Sequence, residues 1–162
     1  MTTIEQFQRL FDYEKDAHAR TVESLRAAAG AHAAEPDFRK ALELSMHLVA
    51  ARFMWLHRFG VREKRPESWF PPVHDVGELQ GAFDEMHALW SAYLAGVGDA
   101  ELGRVFEYQT SDAGRFRSAV GDILIQLFGH SWYHRGQIAL LLRRLGAEPA
   151  PTDFVFWTRE PA

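Results

Sequence analysis

Between residues 118 and 145 the apolar side chains Ile123, Leu127, Ile138, Leu141 and Leu145 recur at helical spacing, and His130 and His134 fall on the same stripe. Residues three, four and seven apart share one face of an α-helix, so the pattern predicts an amphipathic helix with two imidazoles on its inward side. An apolar stripe of this length has to be covered by other elements. An unsatisfied buried polar group costs on the order of 1–3 kcal/mol, so both imidazoles need partners inside the resulting core.

Three further segments carry the same periodicity. The first is expected over residues 3–29, with Ile4, Phe7, Leu10, Phe11, Ala17, Thr21, Leu25 and Ala28 inward, Thr2 and Glu5 at capping-box spacing, and Gly30 as the stop. The second starts at Pro36 or Asp37, buries Leu42, Met46, Val49, Phe53 and Leu56, and ends at Phe59 before Gly60. The third is expected over residues 76–97, with Asp75 and Glu78 at capping-box spacing and Leu79, Phe83, Met86, Trp90, Tyr93 and Leu94 inward. The last one closes on Arg143 and Arg144, which suit a helix C-terminus, with Gly146 as its cap and Pro149 beyond.

The connections differ in character. Arg65-Pro66 and Trp69-Phe70-Pro71-Pro72 are too rich in proline for helix and predict an extended path. Residues 103–117 read as two short strands, Val105 to Thr110 and Arg115 to Arg117, around a turn at Ser111-Asp112-Ala113-Gly114. A lone hairpin is marginal, so this one should lie on the helices. The aromatic tail, residues 149–157, is expected to fold back over them as well. Together these features predict one all-α domain over residues 1–162, a four-helix bundle with a short β-hairpin or extended segment before the last helix.

His130 and His134 lie one helical turn apart, a spacing that lets two imidazoles serve one metal ion. The pattern also arises by chance on solvated faces, and its place on the apolar stripe is what favours a ligand pair. A third ligand should come from a facing helix. His47, in the apolar run Leu44-Ser45-Met46-His47-Leu48-Val49-Ala50, is the candidate; on position alone it could equally be a core histidine bonded to a carbonyl. His18 and His87 lie near buried stripes without ligand spacing, His57 is near a helix end, and His32 and His74 fall in loops. All five are expected at the surface or rim.

Several classes are excluded. The chain has no cysteine, which rules out thiolate sites and Cys nucleophiles, so any metal must be held by His, carboxylate or backbone oxygen. The net charge is −4 with scattered Lys and Arg, which argues against nucleic-acid binding. No Glu is followed three residues later by His, as carboxylate-bridged di-iron bundles require. The zinc-protease H-E-x-x-H signature, a Gly-rich phosphate loop and a Ser nucleophile elbow are missing too. The start of the chain has no basic region ahead of an apolar run, and no stretch approaches the ~20 apolar residues of a membrane span. No membrane association and a cytoplasmic location are expected.

The segment Gly129-His130-Ser131-Trp132-Tyr133-His134-Arg135-Gly136-Gln137-Ile138 resembles the signature of the DinB/YfiT family, a His, three residues and then His-Arg-Gly-Gln. The resemblance extends to His47 with Trp55 in the second helix, and to Gly146 and Pro151-Thr152-Asp153-Phe154 in the tail. It implies an up-down-down-up bundle, a metal site made by His47, His130 and His134, and a homodimer. Many members carry a further His one turn before the pair, where this chain has Gln126. Gln126, Arg135 and Gln137 are accordingly expected to support the site without ligating.

Some members of the family are transferases or isomerases that use low-molecular-weight thiols. The resemblance therefore implies one divalent ion (zinc, nickel or iron, with copper also compatible with His ligands) and an exogenous thiol that attacks a small electrophilic substrate. Two other readings stay open. One is a non-enzymatic metal-binding protein of the stress response. The other is metal-assisted hydrolysis, with Glu14, Asp16 or Glu43 as general base if any of them reaches the site. Trp55, Trp69, Phe70, Trp90, Trp132, Phe154, Phe156 and Trp157 exceed what one small core needs, which adds to the expectation of a dimer.

Overall fold

The computed structural model describes residues 3–110 and 114–161. Four long helices carry the fold: α1 (Thr3–His32), α2 (Pro36–Arg58), α3 (Val76–Gly96) and α5 (Val120–Arg144). A short helix α4 (Asp99–Leu102), strands β1 (Val105–Thr110) and β2 (Gly114–Ala119), and a short helix α6 (Phe154–Thr158) complete it. Cross-contacts set the directions. Gln8 near the start of α1 donates to the Leu94 carbonyl at the end of α3, and Arg26 near the end of α1 reaches Gln80 near the start of α3. Those two helices are therefore antiparallel. Asp37 at the start of α2 pairs with Arg144 at the end of α5, so these two are antiparallel as well. Phe7 and Tyr13 of α1 meet Phe128 and Arg135 of α5, which makes α1 and α5 parallel. The order is up-down-down-up, and the connection across residues 59–75 carries the chain between the two parallel helices.

The helix ends follow from local chemistry, with two departures from the sequence reading. Helix α1 runs through Gly30 to His32; a mid-helix glycine costs about 1 kcal/mol against alanine, and the turn before Pro36 ends the helix instead. The Thr2–Glu5 capping box lies outside the described residues, and Asp99 Oδ1 caps α1 from a neighbouring element by accepting from the Ile4 N–H at 2.7 Å. Helix α5 starts at Val120 because residues 118 and 119 stay in β2, where Ser118 pairs with Phe106. At the end of α2, Gly60 takes φ +78°, and the Val61 N–H bonds the Leu56 carbonyl at 2.9 Å. That closure needs a left-handed residue, which glycine supplies without strain.

The hairpin lies on the bundle. Its strands pair antiparallel from Val105 with Ala119 to Thr110 with Gly114; the turn expected at Ser111-Asp112-Ala113 falls outside the described residues. Phe106 packs edge-on to Phe59 at 5.2 Å and Tyr108 edge-on to Trp55 at 5.0 Å. The tail also returns. Tyr13 donates to the Thr152 carbonyl, and its ring meets Phe154 at 5.0 Å. The core is one continuous apolar cluster from all four long helices, with Trp90 and Leu25 fully buried. Trp90 thus belongs to the core and leaves the set of aromatics available to an interface.

Candidate metal centre

Helix α2 is buried along almost its whole middle, which carries His47 inward among Met46, Leu48 and Val49. Helix α5 packs closely against it and brings His130 and His134 to the same point. The Nε2 atoms of His47 and His130 are 3.0 Å apart, and those of His130 and His134 are 3.1 Å apart. The three ligand atoms all lie within 4.8 Å of one another.

The loop after α2 fixes the His47 ring. Its Nδ1–H donates to the Trp69 carbonyl at 2.7 Å, and Phe70 stacks on it at 4.2 Å with planes 7° apart. Residues 71 and 72 are prolines, which hold this stretch extended. His134 is fixed from its own helix, where its Nδ1–H donates to Gln137 Oε1 at 2.6 Å. With both Nδ1 atoms protonated, both Nε2 atoms present bare lone pairs. His130 Nε2 can donate one hydrogen and so can satisfy only one of them. Burial pushes His130 down to about 4, with His134, His47 and Arg52 acting in the same direction. Burial lowers His134 too, and its bond to Gln137 partly offsets this. Burial thus favours the neutral form of His130 and His134, and the ring nitrogens of all three histidines converge.

A cation resolves that convergence. Two nitrogens each about 2.0–2.1 Å from one ion can be no more than about 4.2 Å apart; both His130 spacings fall inside that limit, and the widest spacing of the group, within 4.8 Å, needs only a small contraction for all three to share one ion. Neutral nitrogen donors suit zinc, nickel, iron and copper. The residues present fit a divalent metal, and the group could hold one.

The neighbouring residues divide clearly. Gln137 holds His134, and its amide N–H₂ reaches the Tyr133 hydroxyl at 3.3 Å. Arg135 is buried and turned away from the histidines, donating to Ser131 Oγ at 3.2 Å and the Tyr13 hydroxyl at 2.6 Å. Gln126 is exposed on the rim of a cleft beside His130. Replacing Gln137 with Leu should leave His134 free to rotate and weaken metal binding by about 10–100-fold. Competition with a chelator would measure this, and unchanged affinity would show that the amide has no positioning role.

The general-base candidates lie elsewhere. Glu14 is fully buried in an ion pair with Arg52, Asp16 pairs with Arg20 and Glu43 with Lys40. Among the described residues, no carboxylate lines the cleft. His18 departs from the surface position expected of it. It is buried between α1, α3 and α5, with Nδ1 3.0 Å from His87 Nε2 and Nε2 3.0 Å from Ser131 Oγ. Polar partners on two facing helices make that burial possible, and burial lowers both imidazoles, His87 to about 4.

The cleft itself was not legible in the sequence. It has a volume of about 320 Å³ and is lined by His47, His130, Ala51, Trp55, Arg58, Trp69, Tyr108, Thr110, Gln126 and Leu127. Its walls come from α2, the following loop, β1 and α5. Only aromatic content hinted at it, since the hairpin's docking position is a tertiary fact.

An up-down-down-up helix bundle that gathers three histidines able to hold a metal ion is the class that this fold and site define. The chain matches the DinB family over residues 1–161 and belongs to it. It is also 33% identical over 80 residues to Protein DinB of Bacillus subtilis (strain 168), an alignment covering 49% of this chain and 45% of that relative. The match thus spans a little under half the length of the curated relative. Among the described residues no helix is long and apolar enough to cross a membrane.

Proposed function

We propose that the chain is a metal-dependent transferase in which a low-molecular-weight thiol is joined to a small electrophilic substrate. The observation that carries the reading is the position of His47 and His130 in the wall of an open, aromatic cleft of about 320 Å³. Volumes of roughly 300–1,000 Å³ are typical of small-molecule sites. A storage or purely structural metal would be expected to be sealed by side chains.

A divalent ion held by three neutral imidazoles keeps its full charge and lowers the pKa of a thiol or water brought to it. The chain's own residues do the rest. Trp69 and Gln137 hold two of the imidazoles in one tautomer, Phe70 covers the His47 ring, and Trp55, Trp69 and Tyr108 give the cleft an apolar wall. The chain lacks cysteine, so the nucleophilic sulfur has to come from a separate molecule. Among the described residues no carboxylate lines the cleft, so metal-assisted hydrolysis there would lack a carboxylate general base.

The test is to incubate the metal-loaded protein with a panel of bacterial thiols and a model electrophile. Thiol-dependent consumption of the electrophile that disappears on chelation is the expected result. Metal-loaded protein that accelerates no thiol in the panel would leave the stress-response metal-binding reading as the better one.

We also propose a homodimer. Ile125, Trp132 and Leu140 are 61%, 47% and 57% exposed on the outer side of α5, and Val155 and Phe156 add apolar surface on the tail. Exposed apolar side chains on one helix face favour a protein partner. Light scattering across a dilution series should give twice the monomer mass, and a monomer mass throughout would assign these side chains to the monomer surface.

A further inference from the structure

The cleft contains polar groups that neither the metal centre nor the fold uses. The Arg58 guanidinium lies 4.6 Å from the Trp55 ring centroid, 5.1 Å from that of Tyr108 and 5.6 Å from that of Trp69. Arg52, Arg62, Arg104 and Arg144 each have a carboxylate partner. Arg58 has none among the described residues, although it is half-buried and its pKa is lowered chiefly by that burial. A second observation points the same way. Among the described residues, the Thr110 Oγ1 atom in the same cleft is buried without a hydrogen-bond partner. A buried hydroxyl left unpaired is costly, and in native proteins such groups are few.

We propose that this cleft is a carboxylate-recognition subsite: Arg58 pairs with the carboxylate of a small ligand, Thr110 bonds its polar edge, and its apolar part lies against Trp55, Trp69 and Tyr108. The inference rests on the reading of the cleft as the substrate site and adds the charge that the substrate carries. The planar guanidinium matches a carboxylate with two parallel N–H···O bonds. Three aromatic rings hold the fork in place, so little side-chain freedom is lost on binding. Arg58 is the one cationic group among the lining residues and, with a hydroxyl and the Gln126 amide, suits a monoanion; Arg65 acts on Arg58 from outside the lining. His47 and His130 form the adjoining wall, so a ligand anchored on Arg58 presents its other end to the histidines.

The probe is 3-phenylpropionate against its neutral amide, titrated into the protein with its bound metal and followed by tryptophan fluorescence. The parent should bind the acid at least about tenfold more tightly than the amide, the scale of one charge-assisted pair. Arg58→Met keeps the apolar stem and should bind the two compounds equally, with unchanged metal content and near-ultraviolet circular dichroism. Arg58→Lys keeps the charge without the fork and should show reduced discrimination; it also serves if the Met variant does not fold. Equal binding of acid and amide by the parent, no binding of either, or full discrimination in both variants would overturn the subsite. Discrimination in a protein that turns over no thiol would support the subsite and count against the transferase reading.

Discussion

His130→Ala should abolish stoichiometric binding of divalent metal, while His74→Ala should leave it unchanged. His130 is the middle member of the cluster, with its Nε2 3.0 Å from that of His47 and 3.1 Å from that of His134. Without it, the two remaining imidazoles make an incomplete set for most divalent ions. His74 is exposed, its backbone N–H bonded to Glu78, and touches nothing at the centre. Elemental analysis of the two purified variants reads the difference directly. Thermal melting reads it a second way. An ion at a thousand times its Kd stabilises the native state by about 4 kcal/mol, or about 10 °C in a chain of this size. Added metal should raise the melting temperature of the parent by that order and that of His130→Ala hardly at all. In the metal-free state the variant should melt close to the parent, because removing His130 also removes a nitrogen facing two bare lone pairs. Equal metal content in His130→Ala and His74→Ala would remove His130 from the site.

The parts of the site that the sequence made legible are those set by helical periodicity. His130 and His134 follow from one helix alone, and His47 follows because an imidazole in so apolar a run has to face the core. Of the two alternatives posed for His47, the carbonyl bond is present, from its Nδ1 to Trp69, while its Nε2 lies in the cluster that could hold an ion. A backbone acceptor has no sequence signature, so that bond could be expected only in kind. The cleft depends on where the hairpin docks, and Tyr108 and Thr110 gain their meaning from that docking. The burial of His18 was missed for a related reason. Its partners, His87 and Ser131, come from α3 and α5, and nothing in the spacing along α1 announces them. The end of α1 was misplaced because the helix penalty of Gly30, about 1 kcal/mol, does not stop the helix before the turn ahead of Pro36.

Arg52→Leu is the substitution expected to cost the most stability. Arg52 and Glu14 form an ion pair in the bundle core, 2% and 0% exposed. The guanidinium also lies over Phe128 at 4.9 Å, Trp90 at 5.1 Å and Phe11 at 5.4 Å. The Leu side chain can refill part of that apolar surround, but it leaves the Glu14 carboxylate buried and unpaired. Breaking a buried pair from one side typically costs about 3–5 kcal/mol, which here means a melting point lower by about 10 °C. Removing both charges has a different outcome. Glu14 Oε1 and Arg52 Nη1 find no hydrogen-bond partner, so the pair does not recover all the solvation that it gives up. Glu14→Leu combined with Arg52→Leu should therefore restore most of the loss, and stability equal to or above the parent's would fit the same balance. Urea denaturation of the parent, the single variant and the double variant gives the three free energies. If the double variant is as unstable as Arg52→Leu, the pair acts through bonds to its surroundings and not through the burial of an unpaired charge.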